Sequence, residues 1–182
     1  MPENDEDVRH HDWIQFPTDP LKAERALLRV GIPALGKVEV QFSDSRFPDE
    51  VVRALDIRIG CYYQLNELSQ VCAGFQEHNF AMLGAVCHLA KPEGIESVRQ
   101  LAENLDQFDF APDVHTPEEY GRYMIRQSGR YEYDEDLEEF YNYKEYGIKR
   151  ILQEDGIFTD YGYVSYHGTL TLDELMRNDL AE

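Results

Sequence analysis

Positive charge is scarce in this chain. Its 182 residues include 17 lysines and arginines against 36 aspartates and glutamates, which gives a formal net charge of -19 at pH 7. A surface of this sign repels nucleic acids and anionic lipids, and it attracts and steers basic partners. The composition therefore argues against direct nucleic-acid binding and against docking to a membrane. A face that is merely well solvated would have the same composition, so that alternative stays open.

Cysteine is rare as well. Cys61, Cys72 and Cys87 are an odd number without a Cys-x-x-Cys pair, which predicts neither a disulfide framework nor a zinc knuckle. Cys72 and Cys87 fall in apolar helical patterns, where a free cysteine behaves as a small buried hydrophobe. The alternative is a metal site with His78 or His88, which would need a particular ligand geometry. We expect no metal and no cofactor.

Long apolar runs and catalytic motifs are also missing. No stretch approaches the ~18 apolar residues of a membrane span, and the acidic residues 1–12 do not resemble a secretory signal, so we expect a cytoplasmic protein. The sequence has no glycine-rich phosphate loop, no nucleophile elbow and no His-Glu-x-x-His pair. Carboxylates are abundant, but no neighbour singles one out as a general acid. We therefore expect that the protein is not an enzyme.

What the sequence does have is an acidic segment, residues 132–139, with six carboxylates in eight positions. Tyr141, Tyr143 and Tyr146 follow it, and a plain acidic tail lacks such aromatics. The pattern predicts a helix capped by Asp134 or Asp136. We expect the apolar residues of this helix to be buried and its acidic residues to face solvent; they are Leu137, Phe140 and Tyr141 on one side and Glu135, Glu138 and Glu139 on the other.

Periodicity along the chain predicts an α+β fold. Strands are expected at 13–16 and 38–42, a helix runs from about Pro20 to Gly31, and the segment up to Gly60 is strand-biased. Three helices follow between Tyr63 and Leu105, a capping box starts a helix at Thr116, and residues 158–166 predict a strand or hairpin. Residues 93–182 carry 22 acidic and 8 basic residues, a net charge of -14, so the charge is concentrated towards the C-terminus.

A series of motifs lies along the chain at 13–17, 65–68, 102–114, 119–125 with 128–129, 137–147 and 156–163. In this order they resemble the ArdA antirestriction family, and the likeness covers most of 13–163. The resemblance implies a non-enzymatic, elongated protein of three small domains. These would be a short β-sheet plus helix over 1–60, a helical bundle over 61–105 and an acidic α+β domain over 106–182. Family members usually open with a strand rich in tyrosine and glycine, and here only twelve residues precede Trp13.

The resemblance also implies a function. A member of this family mimics bent duplex DNA, dimerises, and occupies the DNA groove of the methyltransferase core of type I restriction-modification enzymes. Duplex DNA carries about one charge per ~1.7 Å of axis, so a net charge of -19 corresponds to roughly 30 Å of duplex. On an α-helix, Glu135 and Glu139 would be about 6 Å apart along the axis, close to the ~7 Å between successive phosphates.

These arguments predict two sets of site residues. The carboxylates expected to replace phosphates are Asp106, Asp109, Asp113, Glu118, Glu119, Glu132, Asp134, Glu135, Asp136, Glu138, Glu139 and Glu145. The residues expected at the contact of a homodimer are Leu137, Phe140, Tyr141, Tyr143, Tyr146 and Gly147. Two alternatives remain open at this point. The tyrosines could fill the core of their own domain, and the protein could be an acidic adaptor that docks a basic partner outside any DNA site.

Overall fold

The computed structural model describes residues 12–30, 45–57 and 61–177. Within these ranges the chain forms eight α-helices, three β-strands and short 3-10 turns. The helices and strands are α1 Pro20–Val30, α2 Asp49–Ala54, α3 Tyr62–Val71, α4 Glu77–Ala90, α5 Gly94–Glu103, β1 Phe108–Pro112, α6 Pro117–Arg126, α7 Tyr143–Ile151, β2 Asp155–Thr159, β3 Gly162–Tyr166 and α8 Leu172–Arg177. No described helix has both the length and the apolar character needed to cross a membrane. The α+β class predicted from the sequence is confirmed, and the elongated three-domain arrangement stays a prediction.

The three strands form one antiparallel sheet in the order β1-β3-β2. Val164 in the central strand lies opposite Phe110 of β1 and Ile157 of β2. A two-residue turn joins β2 to β3, and the Thr159 hydroxyl closes it by donating to the Gly162 carbonyl at 2.8 Å. The predicted hairpin is thereby confirmed.

The sheet separates two layers of helices, because successive side chains of a strand point to opposite faces. Phe108, Phe110 and Val164 face a core shared with α2, α3, α4, α5 and α8, which we name the helical layer. Ala111 and Tyr163 face a smaller core shared with α6, which packs against α7; we name these two helices the α6–α7 layer. Since both faces of β3 are covered, this strand is almost entirely buried.

Aliphatic burial holds the helical layer together. Leu68, Leu83, Val86, Val98 and Leu101 are completely removed from solvent. Each buried side chain of this kind contributes roughly 1.5–3 kcal/mol relative to exposure. α4 lies at the centre, because its residues 82–87 are all buried and it also contacts α2, α5 and the sheet. The three helices predicted between Tyr63 and Leu105 are confirmed as α3, α4 and α5.

Two glycines allow α6 and α7 to cross at very close range. A Cβ atom placed on Gly121 would overlap the carbonyl oxygen of Tyr143. A Cβ atom placed on Gly147 would overlap the carbonyl oxygen of Pro117. The crossing therefore depends on the absence of side chains at both positions, and it fixes where α7 begins.

The N-terminal part differs from the sequence prediction. Residues 13–16 form no strand among the described residues, so that prediction is wrong; its expected neighbour at 38–42 lies outside the described ranges. The strand bias expected between Pro48 and Gly60 is also wrong for the described part of that segment, because α2 forms its first half. Val51 and Leu55 are both fully buried at a spacing of four residues, so helical burial against α4 overrides the local strand preference. The helix predicted between Pro20 and Gly31 is confirmed as α1.

Candidate functional site

The acidic segment folds as a 3-10 helix, Glu135–Phe140, between α6 and α7. The Asp134 side chain caps it by accepting a hydrogen bond from the Asp136 amide at 2.9 Å. The Asn142 side chain then caps α7 by accepting from the Glu145 amide at 3.1 Å. The predicted cap at Asp134 is confirmed, but the helix type differs from the α-helix assumed from the sequence.

A 3-10 helix has three residues per turn, so residues three apart share a face. Asp136 and Glu139 are exposed on one face. Leu137 and Phe140 share a second face and are 46% and 74% exposed. The prediction that Leu137 and Phe140 are buried is therefore wrong, because three-residue periodicity places them on an edge that no other element covers in the described part of the chain.

Glu138 is on the remaining face, and it turns inward. One carboxylate oxygen, Oε2, accepts hydrogen bonds from the Tyr133 and Tyr143 hydroxyls, each at 2.5 Å. The other, Oε1, faces the guanidinium groups of Arg122 at 3.6 Å and Arg126 at 3.7 Å. The expectation that Glu138 faces solvent like its neighbours holds only in part, because these four partners draw its carboxylate towards α6 while the side chain stays 36% exposed. We name these five residues the Glu138 cluster.

Aromatic contacts complete the cluster. The Arg122 guanidinium lies 4.6 Å from the ring centre of Tyr143, and that of Arg126 lies 5.1 Å from the ring centre of Tyr133. The Tyr133 and Tyr143 hydroxyls, followed by the two arginines, hold the pKa of the Glu138 carboxyl below its ordinary value. The same hydrogen bond raises the pKa of Tyr133 to about 12. Glu138 is thus a stable carboxylate that ties the acidic segment to α6.

The arginines between positions 99 and 150 are neutralised by carboxylates of the same chain. Each of the five between positions 99 and 150 pairs with a carboxylate of the same chain: Arg99 with Glu96 and Glu103, Arg122 with Glu118, Arg126 with Glu138, Arg130 with Asp109, and Arg150 with Glu154. Across the ranges that the structure describes, no ion pair is formed by the five outer carboxylates, Glu132, Asp134, Glu135, Asp136 and Glu139, and all five are exposed. Their negative charge is therefore uncompensated.

The other carboxylates predicted to replace phosphates are more dispersed. Asp109 pairs with Arg130 at 2.6 Å and Glu118 with Arg122 at 3.5 Å. Glu119 closes the predicted capping box of α6, since it accepts from the amides of His115 at 2.8 Å and Thr116 at 3.0 Å. Glu145 accepts from the Asn142 side chain at 2.9 Å. The exposed residues Asp106 and Asp113 lie next to either end of β1.

The residues predicted at a dimer contact differ in how deeply they are buried. Tyr143 and Gly147 are buried in the packing of α7 on α6. Tyr141 and Tyr146 are half-buried, and the Tyr146 hydroxyl donates to that of Tyr131 at 2.8 Å. Leu137 and Phe140 are exposed. Two further exposed apolar residues, which sequence reasoning missed, are Ile148 at 41% and Leu152 at 82%, one turn apart on or just beyond α7.

Sequence reasoning also missed Tyr133, Arg122 and Arg126. The arginines are four residues apart on α6. Tyr133 lies five residues before Glu138, and Tyr143 lies five residues after it. The four-residue spacing could have suggested a basic stripe on α6. Nothing in the sequence indicated that this stripe would meet Glu138.

The cysteines behave as predicted. Cys72 and Cys87 are buried, and burial raises the pKa of each thiol to about 12, which keeps it protonated and unreactive. The described residues contain no group of three or more histidine, cysteine or acidic side chains placed to hold a metal ion. The prediction that the cysteines are small buried hydrophobes is confirmed for Cys72 and Cys87.

The site is an exposed acidic surface, held in shape by tyrosine hydroxyls and arginines. Comparison with known families identifies it further, because the ArdA family model, described as antirestriction protein (ArdA), matches residues 6–165. The chain belongs to the ArdA antirestriction family, a family of non-enzymatic inhibitors. The resemblance seen in the sequence is confirmed. A search of curated proteins finds no match.

Proposed function

We propose that the protein mimics duplex DNA and occupies the DNA groove of type I restriction-modification enzymes, in the methyltransferase core. The observation that carries this proposal is the uncompensated face of the acidic segment. Its outer carboxylates are exposed on or just before an ordered 3-10 helix, while the neighbouring Arg122 and Arg126 pair with Glu138. These carboxylates present negative charge at fixed positions, where the lysines and arginines that line a DNA groove can pair with it.

The spacing of the carboxylates supports the proposal in a revised form. A 3-10 helix rises ~2.0 Å per residue, so Asp136 and Glu139 are ~6 Å apart along the axis and share a face. Glu135 and Glu139 are instead ~8 Å apart and a third of a turn away from each other. The pair that best matches the ~7 Å phosphate step is therefore Asp136 with Glu139.

Binding of this kind is expected to be fast and sensitive to salt. Complementary charges raise the association rate, and screening shortens their range to ~8 Å at physiological ionic strength. The test is competition between the protein and labelled duplex DNA for a type I methyltransferase. We expect the protein to displace the DNA, with an affinity that falls as salt rises. Full DNA binding at saturating protein would overturn the proposal.

A matched pair of variants locates the binding surface. The triple variant E135Q, D136N and E139Q removes three charges from the acidic segment. The control variant E93Q, D155N and D160N removes three exposed carboxylates outside residues 106–145, none of which forms an ion pair within the described ranges. We expect the first variant to compete much more weakly than the second. Equal losses would mean that net charge alone, and not this face, governs binding.

The same assay distinguishes a DNA mimic from an acidic adaptor. An adaptor that docks a basic partner outside its DNA site would bind equally well with and without DNA. A mimic must lose affinity as DNA is added, because the two ligands share one groove. Simultaneous binding of protein and DNA to the methyltransferase would therefore support the adaptor and exclude the mimic.

We also propose that the active form is a homodimer. Leu137 and Phe140 form an exposed apolar edge beside the acidic face, and Ile148 and Leu152 add a second exposed apolar pair on the α7 side. Exposed apolar groups that lie close together on a monomer favour protein contacts. Sedimentation should show a species of twice 21.2 kDa at micromolar concentration. The variant F140S should shift it towards the monomer, and a wild-type protein that sediments only as a monomer would remove the proposal.

A further inference from the structure

The Glu138 cluster separates one carboxylate of the acidic segment from the others. Glu138 is in the middle of the segment, carries the same charge as its neighbours, and would count as one more phosphate substitute on sequence grounds. In the structure it has four partners within the chain, two hydroxyls and two guanidinium groups. Glu139 next to it forms no ion pair or side-chain hydrogen bond within the described ranges.

The contacts of Glu138 join the two ends of the acidic segment. Tyr133 lies before the 3-10 helix and Tyr143 begins α7, so the two hydroxyls on Glu138 Oε2 join both ends of the segment at one atom. Arg122 and Arg126 attach the Glu138 carboxylate to α6. The position of α6 is itself fixed by its close packing against α7 at the two glycines. No residue of the 3-10 helix is buried. Hydrophobic packing therefore contributes little to holding this helix in place.

From this arrangement we infer that Glu138 is a positioning residue, which orients Asp136 and Glu139 for the partner enzyme and does not itself replace a phosphate. The inference rests on the proposed function and deepens it. Because each of its oxygens already has two partners, Glu138 is poorly placed to meet a lysine or arginine of another protein. Its loss frees the loop from α6, and the outer carboxylates then sample many positions.

The decisive comparison is E138Q against E139Q, since both remove one charge from neighbouring residues of one 3-10 helix. An exposed ionic contact is worth ~0.2–1 kcal/mol, so E139Q should weaken competition with DNA by about 1.5- to 5-fold. E138Q should weaken it by more than 10-fold, because several contacts become disordered together. The slope of log affinity against log salt should fall by at most about one for E139Q and by more for E138Q.

Hydrogen exchange at backbone amides measures independently whether the acidic segment is held in place. The amides of Asp136, Leu137 and Tyr141 are hydrogen-bonded within the segment. They should exchange faster in E138Q and remain protected in E139Q. Y133F serves as a second variant that keeps every charge and removes one hydroxyl from the cluster. It should show a smaller change in the same direction for both exchange and affinity, and it carries the test if E138Q does not fold.

Three outcomes would overturn the inference. Equal losses of affinity in E138Q and E139Q, with unchanged exchange, would make Glu138 one ordinary member of the charged surface. Faster exchange in E138Q with unchanged affinity and salt slope would make the cluster purely structural. Failure of the wild-type protein to compete with DNA would remove the proposed function and this inference with it, and that failure is recognisable because it does not involve a variant.

Discussion

Two regions of the molecule differ in how they are held in place. The helical layer contains residues that are completely buried, such as Leu68, Leu83 and Val98, whereas no residue of the acidic 3-10 helix is buried. The helical layer therefore depends on the removal of apolar surface from water. The acidic segment depends on a few hydrogen bonds and ion pairs around one carboxylate, as Glu138 shows. A strongly charged surface cannot be ordered by burying it, so the chain orders it through its polar groups.

The largest effect should follow from breaking the helical layer. Leu83→Ala removes a fully buried side chain from the centre of α4 and should lower the free energy of unfolding by ~2–5 kcal/mol. Leu28→Ala is the control, since Leu28 is 78% exposed, and it should change that free energy by less than ~0.5 kcal/mol. Urea unfolding followed by circular dichroism measures both. Similar losses in the two variants would contradict the buried position of Leu83.

A second substitution strains the α6–α7 layer. Gly147→Ala places a methyl group against the Pro117 carbonyl and should separate the helices, at a cost of ~1–3 kcal/mol or more. Because α6 carries Arg122 and Arg126, competition with DNA should weaken as well. Gly74→Ala is the control, because nothing lies within 4 Å of a Cβ atom there. Unfolding curves and the DNA competition assay test the pair, and a Gly147→Ala variant as stable as wild type would exclude the close crossing.

A smaller effect is expected at the start of α6. The Thr116 hydroxyl accepts a hydrogen bond from the Glu119 amide at 3.2 Å, so Thr116→Ala should cost ~1 kcal/mol of stability. Thr169→Ala, in a turn outside the helices, is the control and should be nearly neutral. Thermal melting distinguishes them. A neutral Thr116→Ala would show that the capping hydrogen bond contributes little to the α6–α7 layer.

The smallest effect is a pH dependence that belongs to the acidic segment alone. The folded state lowers the pKa of Glu138 below its ordinary value of 4.5. The resulting stability is therefore present above that value and is lost as pH falls through the folded pKa. The melting temperature of E138Q should lie below that of E139Q near neutral pH, and the gap should close as pH falls well below 4.5. A gap that is independent of pH would contradict the charged state of Glu138 as the source of order.

How far the sequence predicts this protein differs between the two regions. Helical periodicity placed α3, α4 and α5, and the Thr116 motif placed the start of α6, because these signals are local and strong. The strand expected at 13–16 failed, because alternation over four residues makes a strand only where a second strand pairs with it, and residues 13–16 form neither strand nor helix. The strand bias before Gly60 failed, since a short apolar run is compatible with either period. In the acidic segment the charges were visible, but their faces were assigned with an α-helical period that the 3-10 helix does not have.

The sequence by itself determined the family, the strongly negative charge and the helices of the helical layer, because motif order, composition and apolar period are all written along the chain. Only the tertiary structure decided which carboxylates remain uncompensated. That choice depends on Arg122 and Arg126 of α6 meeting Glu138, and on two glycines that let α7 approach closely enough to bring Tyr143 there. Contacts between residues distant along the chain separate one structural carboxylate from neighbours of identical charge, and no local pattern encodes such contacts.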